Sequence, residues 1–135
     1  NNVLGKCNAP IVGGNLAILQ SLSGTLYDID TKGKILFIED VDEYYYNIDR
    51  MLWTLKLSGK LSELSGLILG GFTSLKDNDT PFGKSLEEIV LEKVREFNYP
   101  VCFNFPAGHF NNNCAIPLGV SAELSVEKEK VYLSV

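Results

Sequence analysis

Three short apolar runs alternate with two segments of helical period, and that alternation limits the folds open to this chain. The runs are "KILFIE" at 34–39, "GLILGGF" at 66–72 and "PVCFNF" at 100–105. Each is short, rich in branched or aromatic side chains and bounded by turn residues, so each reads as a buried strand. Between the first two, "NIDRMLWTLKLSG" places Ile48, Met51, Leu52 and Leu55 on one helical face, with Asn47 as the predicted N-cap and a stop near Gly59. Between the last two, "SLEEIVLEKVREF" opens with Ser85 and Glu88 in capping-box spacing, and Leu86, Ile89, Val90, Val94 and Phe97 form its apolar face. Strands separated by helices pair in parallel through right-handed crossovers. The fold class is therefore α/β, with a mixed, largely parallel sheet flanked by helices. Upstream, "GGNLAILQSLSG" predicts a tight turn and a short helix capped by Asn15 and stopped at Gly24. Downstream, "VSAELSV" and "KVYLSV" predict an antiparallel hairpin around Glu127–Glu129.

Composition narrows the function classes. The 135 residues suffice for one domain with a core, and 45% hydrophobic against 21% charged residues is ordinary for a globular chain. A formal net charge of −5 and the lack of a dense Lys/Arg cluster argue against nucleic acid or an anionic membrane as partner. No apolar run approaches the ~20 residues of a membrane span. The first ten residues, "NNVLGKCNAP", do not read as a signal peptide, and they begin without methionine. Cys7, Cys102 and Cys114 form no C-x-x-C pair and are odd in number, which is not a disulfide framework and suits a reducing compartment. With a single histidine besides, no metal site is expected.

That histidine, His109, lies in the loop "NFPAGHF" after the third apolar run. The first run ends on "FIEDVDE", with Glu39, Asp40, Asp42 and Glu43. Ligands gather at the carboxyl ends of strands in such sheets, and parallel neighbours would bring both ends to one edge. A carboxylate beside an imidazole fixes its tautomer and supports its charged form when it takes a proton. A nucleophile is then needed on the third side. No G-x-S-x-G turn exists, so no serine fits an elbow. Cys114 is five residues from His109, although a free cysteine is most often a small buried hydrophobe. Acidic loops are commonly solvated, lone loop histidines commonly sit at the surface, and "GGNL" lacks both the Lys-Ser/Thr of a P-loop and the G-x-G-x-x-G spacing.

Taken in order, "GGNLAIL", "GKILFIEDVDE", "YNIDRMLWTLKLSGKL", "GLILGGF" and "FPAGHFNNNCAIPLGV" resemble the C-terminal domain of LD-carboxypeptidases, from about Gly13 to Val135. That family includes muramoyltetrapeptide carboxypeptidase and the microcin C self-immunity protein. The resemblance implies that residues 1–135 are a C-terminal domain of the swivelling β/β/α type. It implies an absent flavodoxin-like N-terminal domain of about 150 residues that carries the nucleophilic serine of a Ser-Glu-His triad. Glu39 and His109 take the other two triad positions, with Asp40 as the alternative acid, and Asn113 and "IPLG" at 116–119 continue the pattern. The implied reaction is release of the terminal D-alanine from murein tetrapeptides in the cytoplasm, without metal or cofactor. This chain alone would be inactive for want of its serine. Two alternatives stay open: an immunity-type hydrolase of peptidyl-nucleotide toxins, and a non-catalytic binding module. Loss of the N-terminal domain would expose a surface meant to be covered, which favours self-association into a homodimer. The family often has Gly and Pro after the "ED" pair; this chain instead has Asp42 and the aromatics Tyr44–Tyr46.

Overall fold

The computed structural model describes all 135 residues. Six strands form one sheet in the order β4-β3-β2-β1-β5-β6. In chain order these are β1 (Gly5–Asn15), β2 (Ile35–Val41), β3 (Gly66–Thr73), β4 (Val101–Cys102), β5 (Ser121–Val126) and β6 (Val131–Ser134). Helices α1 (Leu16–Leu22), α2 (Tyr45–Leu57) and α3 (Leu86–Val94) cross between the first four strands, all of which run parallel. The expected α/β class and the mixed, largely parallel sheet are both present.

β1 is the strand that sequence pattern does not reveal. Its length, 11 residues, carries two pairings: Gly5–Pro10 run antiparallel to β5, and Ile11–Asn15 run parallel to β2. Such a strand is half exposed along most of its course and lacks a continuous apolar run. The "GGN" read as a tight turn is its last residues, followed directly by α1.

The two faces of the sheet bury different clusters. Leu36, Ile38, Leu67 and Leu69 pack with residues of all three helices, including Leu16, Ile48, Leu52, Leu55, Ile89 and Val90. Ile35, Phe37 and Ile68 face the other way, against Cys102, Ala107, Ala122, Leu124 and Val126. Side chains alternate along a strand, so each parallel strand serves both clusters and reads as continuously apolar.

Three local expectations are corrected. Tyr44, not Asn47, is the N-cap of α2, and its side chain makes no capping bond. Asn47 sits inside the helix, where its Nδ2 donates to Glu43 at 2.9 Å and its Oδ1 accepts from Arg50 at 2.6 Å. The third run forms a strand only at Val101–Cys102, because the chain turns through left-handed Asn104 (φ 56). The strands bearing Glu39 and His109 are not neighbours, since β3 lies between β2 and β4. As expected, Asn15 caps α1, Ser85 and Glu88 close a capping box on α3, and β5 and β6 form the hairpin.

Candidate active site at the carboxyl edge of the sheet

Glu39 and Asp40 are the fifth and sixth residues of β2, so strand alternation sends them to opposite faces. Glu39 points away from the helices. Its side chain is only 9% exposed, yet it reaches His109, whose Nδ1 is hydrogen-bonded to Glu39 Oε2. The imidazole itself is 49% exposed, and its Nε2 makes no hydrogen bond within the chain.

Bringing the pair together requires the His109 loop to cross over β3. The crossing is made by backbone: Phe105 N–H donates to Leu69 O at 2.9 Å, and Gly71 N–H donates to Ala107 O at 2.8 Å. Side chains would block it. A Cβ at Gly70 would stand 2.4 Å from the Ala107 oxygen and 2.7 Å from the Phe37 ring; one at Gly71 would stand 3.0 Å from the His109 nitrogen. The "GG" ending "LILGG" is therefore a site feature. Paired glycines inside a strand pattern are the signal that another backbone passes close by.

Asp40 serves the other face. It is 3% exposed and accepts from Asn15 Nδ2 (2.9 Å), Ala17 N–H (3.0 Å) and Val41 N–H (2.9 Å). A carboxylate bonded to the first-turn amide of α1 satisfies a free helix donor and favours the helix dipole. Asp40 fastens β2 to α1 and is not brought to the imidazole.

Strain concentrates at the same edge. The three non-glycine residues with left-handed backbone are Asp42 (φ 63), Ser74 (φ 54) and Asn104 (φ 56), which follow β2, β3 and β4. Such residues cluster where a scaffold is shaped for a site. Asp42 pairs with Lys76 at 2.7 Å, and that ammonium lies 5.8 Å from the ring centroid of Tyr44. Tyr44 and Tyr46 pack on each other, centroids 5.4 Å apart, with Arg50 over Tyr46. The aromatics after "EDVDE" are thus engaged with one another and with cations.

The thiols divide by burial. Cys102 is buried, and desolvation pushes its thiol up to about 11, far from nucleophilic use. Burial also raises Cys7. Cys114 is exposed, unlike the small buried hydrophobe that a free cysteine most often is, and it makes no bond to His109. No serine hydroxyl bonds to His109 either. No cluster of three or more His, Cys, Asp or Glu is arranged to hold a metal ion, and no helix is long and apolar enough to cross a membrane. The arrangement is an oriented imidazole with one free nitrogen, able to pass a proton to or from a group presented from outside the chain.

Known proteins share this framework. The family model for the LD-carboxypeptidase C-terminal domain matches residues 8–124. A probable murein peptide carboxypeptidase of Bacillus subtilis is 38% identical over 131 residues, spanning 97% of this chain and 41% of that protein. The murein tetrapeptide carboxypeptidase of Pseudomonas aeruginosa is 36% identical over 120 residues, spanning 88% and 38%. The crystal structure of muramoyltetrapeptide carboxypeptidase from Oxalobacter formigenes superposes with a TM-score of 0.88 at 32% identity, covering 98% of this chain and 46% of that one. The microcin C7 self immunity protein shares the fold, with a TM-score of 0.84 at 24% identity. The chain spans about two-fifths of the length of the curated relatives it matches. It belongs to the LD-carboxypeptidase family, over the part that forms the C-terminal domain.

Proposed function

We propose that this chain supplies the acid and base of a serine-type LD-carboxypeptidase, with His109 as general base and Glu39 as the residue that orients it. The single observation behind this reading is the hydrogen bond that His109 Nδ1–H donates to Glu39 Oε2, which leaves Nε2 as the working nitrogen. The serine lies on an N-terminal domain outside these residues. Nε2 takes the serine proton as the hydroxyl attacks the amide carbonyl before a terminal D-alanine. It then returns that proton to the departing amine, and water repeats the cycle to release the acyl group. Glu39, buried and anionic, stabilises the imidazolium present between the two transfers. The oxyanion donors belong to the absent domain.

The substrate in this reading is a murein tetrapeptide, met in the cytoplasm. Relatives at 38% and 36% identity carry murein peptide names, whereas the likeness to the immunity protein, at 24%, is one of fold. The decisive experiment is hydrolysis of murein tetrapeptide by the complete protein and by its Glu39→Gln variant. The reading expects the variant to fold and to lose about 10⁴-fold in kcat, as triad acids do. Near-normal turnover would refute it. Residues 1–135 alone are expected to release no D-alanine; measurable release would place the nucleophile inside this chain, with Cys114 first to test.

A further inference from the structure

The loop bearing His109 is fastened by backbone on both sides of the histidine. Gly71 N–H holds Ala107 O at 2.8 Å, and Cys114 N–H holds Pro106 O at 2.7 Å. Gly108, the residue whose torsion aims the imidazole, bridges to Gly71 and its carbonyl accepts from Phe110 N–H at 2.8 Å, but no backbone group takes its N–H. Gly108 stands at φ +94, and its N–H donates to the Oδ1 of Asn113 at 3.0 Å. Asn113 and Glu39 are the two side chains that hydrogen-bond to residues 107–110.

A glycine visits both signs of φ with similar ease, so a left-handed glycine needs something outside itself to select that state. The Gly108–Asn113 bond is exposed. Water can replace an exposed acceptor with little loss of stability, but water selects no torsion. Asn113 is therefore poorly placed to stabilise the fold and well placed to set the direction of His109. We infer that Asn113 is a positioning residue for the dyad: its carboxamide oxygen holds Gly108 left-handed, and so keeps His109 Nδ1 on Glu39. This rests on the dyad proposed above and adds a residue to it. Only Oδ1 of Asn113 is used, so a carboxylate at this position would serve equally as acceptor.

The single histidine makes the test direct. Which ring nitrogen carries the proton is set by the bond the other makes, and nitrogen-15 NMR of a neutral imidazole reads that tautomer. The sample is this chain, 15N-labelled, in mildly alkaline solution, with Glu39→Ala defining the broken pair. The wild type is expected to hold predominantly the Nδ1–H form. Asn113→Ala is expected to lose most of that excess and approach Glu39→Ala, while backbone amide shifts outside residues 105–114 stay in place. Asn113→Asp is expected to retain it. A wild-type tautomer in Asn113→Ala would overturn the positioning role and leave the dyad standing. Equal loss in Asn113→Ala and Asn113→Asp would also overturn it, because the acceptor oxygen would then be irrelevant. A wild type indistinguishable from Glu39→Ala would overturn the dyad and this inference together.

Discussion

Gly108 lies against the stem of Glu39: a Cβ added to Gly108 would fall 2.8 Å from both Glu39 Cβ and Cγ. The residue before the histidine is thus the lid on the carboxylate that the histidine meets. Burial of Glu39, the left-handed turn at Gly108 and the approach of the imidazole are one packing arrangement.

Gly108→Ala should therefore disable the site. The new methyl meets Glu39, and the backbone φ of +94 is unfavourable for alanine. Strain of this kind costs about 1–3 kcal/mol, which urea denaturation would measure. The complete protein should lose most of its kcat, because relief of the clash moves His109 off Glu39. Unchanged turnover would show that the dyad does not need this contact.

Asp40→Ala should act on stability. Three donors lose a buried charged acceptor: Asn15 Nδ2, Ala17 N–H and Val41 N–H. Hydrogen bonds to charged groups are worth about 1.5–3 kcal/mol each, and losses within a network are not additive, so about 3 kcal/mol is expected. The tautomer of His109 should be unchanged. A fully stable Asp40→Ala would disprove the role as the fastening between β2 and α1.

The acid limb of the stability curve should carry the signature of Glu92. Lys84 at 2.8 Å and Lys93 at 3.1 Å draw its carboxyl down to about 2. Because the folded value lies below the ordinary glutamate value of about 4.3, the contribution is complete above that value and is lost as pH falls through about 2. The melting temperatures of the wild type and Glu92→Gln should differ above about pH 4.3 and converge between there and about pH 2. A constant difference down to pH 2 would contradict this assignment.

Thiol reagents should count the cysteines by burial. Cys114 is exposed, Cys7 is half-buried and Cys102 is buried with its thiol pushed up to about 11. A disulfide reagent at neutral pH should modify Cys114 first, Cys7 slowly and Cys102 only on unfolding. Fast reaction of Cys102 in the native protein would mean that the face carrying Phe37 and Ala107 opens.

Much of the molecule is legible in one dimension. The buried runs at 34–39 and 66–72, the amphipathic faces of α2 and α3, the Ser85–Glu88 box and the closing hairpin are all local patterns, each dictated by the periodicity of burial or by a cap within one turn. Glu39 and His109 are legible as candidates for the same reason, since each follows an apolar run that must end at the sheet edge. β1 is not legible, because it changes partner and direction of pairing at Pro10–Ile11 and so has no single periodicity.

What the amino-acid sequence determined by itself is the elements other than β1 and the placing of two ionisable residues at strand ends. Only the tertiary structure decided which of two adjacent carboxylates meets the imidazole. Glu39 and Asp40 differ by one step along β2, and one step reverses the face. Which face carries helices and which carries the His109 loop depends on crossover handedness and on β3 lying between β2 and β4. The glycines at 70, 71 and 108 belong to the same class of fact. Their need for open space comes from chain segments remote in sequence, and which segment passes each of them is visible only when those segments are packed against them.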